Sequence, residues 1–161
     1  TVASRPGRGT MFRVGIALGA LGDIQDTTAA ADTRPIPITQ PQAVLVIDDE
    51  EAIREGLRLL LEEWGYEAIT AASAAAAERA IVSLGILPEL ILSDLHLGDG
   101  PDGIAAVAAV RRQCGHDVAA ILITGDTSHD EMRRVSESGL SVLLKPVQPR
   151  KLYNVLRGLL R

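Results

Sequence analysis

Aromatic side chains are nearly missing from this sequence: Phe12, Trp64, Tyr66 and Tyr153 are all that 161 residues contain. A core must therefore be built from Ala, Val, Leu and Ile, and few rings are left to stack on unpaired bases. The single cysteine, Cys114, excludes a disulfide scaffold. Basic excess is missing too. The formal net charge is −5, which argues against nucleic acid as a direct partner. No run reaches the roughly 20 apolar residues of a membrane span. Val14–Gly22, preceded by Arg5, Arg8 and Arg13, is the nearest imitation of a signal-peptide core, and no membrane contact is expected. Aliphatic residues are what the chain has in quantity, and a 47% hydrophobic content excludes disorder over most of it.

Composition shifts near residue 42. Residues 1–42 carry four arginines and three aspartates, net +1, which leaves −6 on the remainder. Residues 22–42 are polar and hold Pro35, Pro37 and Pro41, as an extended linker does. Beyond them come short aliphatic runs at Val44–Ile47, Leu90–Leu92, Ala120–Ile123 and Val142–Leu144, with a shorter strand at Glu67–Thr70. Lack of period-2 alternation predicts parallel strands covered on both faces. Between the runs lie helical stretches. Ile53, Leu57, Leu60, Leu61 and Trp64 share one helix face, and Leu152, Val155, Leu156, Leu159 and Leu160 share another. Ser73–Leu84 is alanine-rich; Ile104, Val107 and Ala108 mark a third helix, Met132 and Val135 a weaker fourth. Five β-α steps with right-handed crossovers give an open parallel sheet between two helix layers.

Polar residues follow each buried strand: Asp48 and Asp49, then Ser93 and Asp94, then Thr124, then Lys145. All strand carboxyl ends of a parallel sheet lie on one edge, where ligands bind. Three anions gathered there need a cation or a proton. Oxygen ligands without a His or Cys cluster suit a hard ion, Mg²⁺ before Ca²⁺ or Mn²⁺. A carboxylate beside a metal, an ammonium and a hydroxyl suits phosphoryl transfer. Taken singly, each residue has an ordinary explanation. Asp48-Asp49 suits a helix start, Asp94 and Lys145-Pro146 suit turns, and Thr124 suits a strand end.

The ordered set Val-Leu-Val-Ile-Asp48-Asp49, Leu-Ile-Leu-Ser-Asp94, Ile-Leu-Ile-Thr124-Gly125 and Leu-Leu-Lys145-Pro146 strongly resembles the receiver domain of bacterial two-component response regulators, over residues 43–161. The resemblance implies a flavodoxin-like (CheY-like) five-stranded parallel sheet in the order 2-1-3-4-5 with helices on both faces. It implies that Asp94 is the phosphoacceptor, served by a phosphohistidine. Asp49 and Asp94 would ligate Mg²⁺ directly and Asp48 mainly through water, with the backbone carbonyl of His96 as a further oxygen. Thr124 would move towards the phosphate, Lys145 would pair with it, and the Lys145–Pro146 peptide would be cis. His96 and Asp126 occupy the two positions that tune dephosphorylation.

The chain also departs from the family's pattern. Pro four residues and Gly eight residues after the phosphoacceptor are replaced by Gly98 and Asp102, with Gly103 at nine, so the loop reads one residue longer. The switch aromatic three residues before the lysine is Val142. His96, His116 and His129 are spaced apart on polar loops and read as solvated, forming neither a metal triad nor a phosphohistidine site. Cys114 reads as an inert thiol near a helix end, and Trp64 and Tyr66 as packing residues beside a turn.

Ser4–Val14, containing Gly7-Arg8-Gly9-Thr10-Met11-Phe12, resembles the last strands of a histidine kinase ATP-binding domain. The layout would then be a kinase remnant over 1–21, a linker over 22–42 and a receiver over 43–161, as at the end of a hybrid sensor histidine kinase. The resemblances imply a cytoplasmic phosphorelay protein. Its partners would be a histidine kinase domain of the same parent chain and a histidine phosphotransfer protein. The receiver would promote its own phosphorylation and dephosphorylation without being a turnover enzyme. A chain stopping after the fifth helix would carry no DNA-binding output module. The alternative is a receiver-fold module that docks a partner without being phosphorylated. An aspartyl-phosphate hydrolase would need an Asp-x-Asp motif, which Asp94-Leu95-His96 lacks.

Overall fold

The computed structural model describes residues 2–5, 9–12 and 41–160. The chain divides into two units, Thr1–Thr33 and Arg34–Arg161. In the first, β1 (Val2–Arg5) and β2 (Gly9–Phe12) form an antiparallel pair with Val2 opposite Phe12 and Arg5 opposite Gly9. The stretch Val14–Gly22 and nearly all of the linker read over 22–42 lie outside the described residues.

The second unit alternates strand and helix: β3 (Ala43–Ile47), α1 (Glu51–Glu63), β4 (Glu67–Ala71), α2 (Ala74–Leu84), β5 (Leu90–Asp94), α3 (Gly103–Cys114), β6 (Ala119–Thr124), α4 (His129–Ser138), β7 (Ser141–Leu144) and α5 (Pro149–Leu159). The five strands are parallel in the order β4-β3-β5-β6-β7, which is 2-1-3-4-5 by position in this unit. The register sets Ile47 beside Ser93 and Asp94 beside Ile123, so the ends of β3, β5 and β6 lie together.

Alternate residues of the central strands point into two separate cores. Leu45, Ile47, Ile91 and Leu122 pack with Ala77 and Ile81 of α2, Ala106 and Val110 of α3, and Val135 of α4. Val44, Val46, Leu92 and Ile123 pack with Leu57 and Leu61 of α1 and Leu152 and Leu156 of α5. Both faces are covered, which is why these strands are continuously apolar. Most of the few aromatics gather in the second core, where Trp64 meets Tyr153 edge-on at 5.0 Å between ring centroids. Helix starts follow local chemistry: Ser73 accepts the Ala76 N–H and Asp102 accepts the Ala105 N–H.

Four details differ from the sequence expectations. Val142–Leu144 is not covered on both faces. As part of the edge strand β7 it buries only Leu143 and leaves Val142 and Leu144 exposed. Ala108 is exposed, and α3 turns Ala106, Val107, Ala109 and Val110 inward. Leu159 is exposed, while Tyr153 takes a core position on α5. His129 is the first residue of α4, not part of a loop.

Candidate functional site

Asp48 directly follows β3 and Asp94 ends β5, so both carboxylates are carried to the same sheet edge by fully buried strands. Asp48 is 1% exposed and Asp94 8%. Lys145, one residue past β7, reaches back between them. Its Nζ lies 2.8 Å from Asp94 Oδ2 and 3.5 Å from Asp48 Oδ2. The Lys145 N–H donates to the Thr124 carbonyl, and the Lys145–Pro146 peptide is cis. Asp49 is exposed beside Asp48. One carboxylate oxygen from each of Asp48, Asp49 and Asp94 lies within 4.8 Å of the other two.

Opposing influences act on the charged groups here. Burial pushes the Asp48 carboxyl above its ordinary range and the Asp94 charge adds to the rise, while the Glu50 N–H and Lys145 oppose it. Burial works against the Lys145 ammonium as well. The hydrogen bond that Lys145 donates to Asp94 and the charges of both aspartates outweigh it and hold the lysine above its usual range. Three carboxylates against one ammonium leave an excess of negative charge in a partly desolvated pocket. An all-oxygen donor set of this kind fits a hard divalent cation such as Mg²⁺.

Thr124 is fully buried at the end of β6. Its hydroxyl accepts the Asp126 N–H at 3.1 Å, and among the described residues it makes no hydrogen bond to the carboxylates. The sheet edge thus brings together Asp48, Asp49, Asp94 and Lys145, with Thr124 alongside.

The loop after β5 explains the departures from the usual spacing. Gly98 has φ +58°, a left-handed conformation that proline cannot adopt, and a Cβ there would lie 3.5 Å from Asp49 Oδ2. Asp102 caps α3, and Gly103 is the residue packed on the Asp94 peptide. A side chain at 103 would overlap the Asp94 carbonyl oxygen and lie 3.0 Å from Leu95 Cα. The extra residue therefore displaces the close-approach glycine from eight to nine positions after Asp94.

Two neighbours escaped the sequence reading. Arg54, on α1, donates from Nη1 to the carbonyls of Asp48 (2.7 Å) and Asp49 (2.9 Å). Glu131, buried in the first turn of α4, is bonded by Arg134, which also pairs with Asp102. Glu131 Oε1 lies 3.9 Å from His96 Nε2, and His96, Asp126 and Glu131 form a second group of close donor atoms. His96, His116 and His129 are all exposed, as expected, and His96 in addition lies beside these two acids. A first-turn acid and a mid-face arginine look like ordinary solvated helix residues, so only tertiary placement distinguishes them.

A model of the response regulator receiver domain matches residues 44–157. The chain belongs to that family. Among curated proteins, the receiver is similar to the transcriptional regulatory protein AruR of Pseudomonas aeruginosa, 37% identical over 124 residues, with 73% of this chain and 49% of that protein covered. It is also similar to the phosphate regulon transcriptional regulatory protein PhoB of the same organism, 33% identical, with 74% and 52% covered. The chain spans about half the length of these relatives. Among solved structures, chemotaxis protein CheY4 of Vibrio cholerae superposes with a TM-score of 0.66 at 28% identity, covering 75% of this chain and all of that one. The signal receiver domain of an HD domain-containing protein from Pseudomonas fluorescens gives 0.65 at 27%, covering 75% and 95%. Among the described residues no helix of the receiver is long and apolar enough to cross a membrane.

Proposed function

We propose that this receiver takes a phosphoryl group from a kinase phosphohistidine onto Asp94. An Asp94 carboxylate oxygen attacks phosphorus and the P–N bond breaks. Its electron pair returns to the imidazole, which takes up a proton, and an acyl phosphate remains on Asp94. The observation that carries this reading is the ion pair between Asp94 and Lys145, set beside two further carboxylates at one sheet edge. Asp49 and Asp94 would hold Mg²⁺ directly, Asp48 through water, and the His96 carbonyl would add an oxygen; the ion would neutralise charge on the phosphoryl oxygens. Lys145 follows the negative charge as it spreads onto the new phosphate, and Thr124 supplies a hydroxyl once freed from the Asp126 N–H. His96 and Asp126 flank the approach of hydrolytic water and set the lifetime of the phosphoryl group.

On parentage, the Gly-x-Gly-Thr-x-Phe segment, whose Gly9–Phe12 part forms β2, supports a hybrid histidine kinase, with a kinase domain and a phosphotransfer protein as partners in the cytoplasm. The names of the curated relatives support a rival parent, a transcriptional regulator. Sequence flanking the chain in its gene decides between them: kinase nucleotide motifs upstream, or an output domain downstream.

Incubation with acetyl phosphate and Mg²⁺, read by intact mass, tests the chemistry. The expected result is one added phosphoryl group on the native chain and none on Asp94→Asn. Equal uptake by both would exclude Asp94. Absence of uptake from every phosphodonor, a cognate kinase included, would favour a docking module.

A further inference from the structure

We propose that Arg54 is a positioning residue for the divalent cation, acting through the backbone of the acidic turn. The inference rests on the reading of Asp48, Asp49 and Asp94 as a magnesium pocket. It starts from the hydrogen bonds of that turn. The Asp48 N–H is tied to the Ala71 carbonyl, and the Glu50 N–H donates to Asp48 Oδ1. The carbonyls of Asp48 and Asp49 instead both accept from one guanidinium nitrogen, Nη1, at 2.7 and 2.9 Å. The arginine springs from a fixed backbone, because its own N–H continues the helix to the Glu50 carbonyl. Two consecutive peptides that carry candidate ligands are thus held from α1 by one side chain.

The arginine does not act on the carboxylates by direct contact. Its hydrogen bonds go to main-chain oxygens, while Lys145 is the cation bonded to the carboxylates. This distinction sets the sign of the effect. A guanidinium beside a cation pocket repels the cation, so on charge alone its removal would tighten binding. As a clamp on the ligand turn its removal must weaken binding. Partners that orient metal ligands typically change affinity by about 10–100-fold when lost.

Calorimetric titration of the full chain with Mg²⁺ at 10 °C tests the proposal, with circular dichroism confirming that each variant is folded. Arg54→Met keeps the apolar stem and removes both donors, and about a tenfold weaker affinity is expected. Arg54→Lys keeps a group able to donate to both carbonyls and should recover part of that loss. Arg58→Met, on the same helix but paired with Glu55 and Glu62, should bind as the native chain does. Unchanged or tighter binding by Arg54→Met overturns the clamp, as does a lysine variant no better than the methionine one. A native chain that takes up no Mg²⁺ overturns the pocket reading itself and the clamp with it.

Discussion

Gly103, the first residue of α3, lies against the carbonyl of Asp94 so closely that any side chain at 103 would overlap that oxygen. The Gly103 N–H also donates to the Leu95 carbonyl. The atoms in the way are backbone and cannot swing aside. Gly103→Ala should therefore cost about 3 kcal/mol, the upper end for overpacking. Urea unfolding checks this through a lower midpoint at unchanged slope.

Gly98 makes a contrasting case. Space around it is ordinary, and only its φ of +58° resists a side chain. Gly98→Ala should cost about 1–2 kcal/mol, and Gly98→Pro more, since proline fixes φ near −65°. A proline variant as stable as the native chain, measured by thermal unfolding, would show that the loop does not depend on a left-handed residue at 98.

Removing the ammonium that separates Asp48 from Asp94 leaves two buried like charges side by side. One-sided loss of a fully buried pair costs about 3–5 kcal/mol. Lys145 is 26% exposed in its side chain, so Lys145→Met should cost about 2 kcal/mol in metal-free buffer at neutral pH. Adding Asp48→Asn removes one of the repelling charges and should restore part of the loss. Denaturant midpoints of the two single variants and the double variant check the coupling.

Cys114 and Tyr66 are both raised above their ordinary pKa by burial. A folded-state value above the unfolded one gives stability that is complete below the unfolded value and is lost as pH rises through the folded one. Stability should thus fall above the ordinary thiol range, about pH 8.5, and Cys114→Ser should fall less steeply. Melting temperatures from pH 7 to 10 check the slope. In the native chain the thiol should also react with iodoacetamide more slowly than in urea.

Much of this was legible in the sequence because a doubly covered parallel strand is an unbroken aliphatic run, and Val44–Ile47 and Leu90–Leu92 are such runs. The polar residues at their ends then had only one sheet edge to occupy. β7 misled because an apolar run does not say whether its strand is central. Val142 and Leu144 lie on an edge, a property of topology and not of local composition. Ala108 was misplaced for a different reason: in an alanine-rich helix every face looks alike. Arg54 and Glu131 carried no local signal, since their roles depend on carbonyls and loops that only the fold brings near.

The parallel sheet is also a partition. Neighbours such as Leu45 and Val46 look into different cores, and the α2, α3 and α4 layer is walled off from the α1 and α5 layer by the strands. Along that wall, the carboxyl edge is a seam where both sides are held at once. Asp94 ends β5, whose Leu92 packs on the α1 side, and leads into Leu95 and Leu97 on the α3 side. A charge placed at that seam therefore adjoins both compartments while lying inside neither.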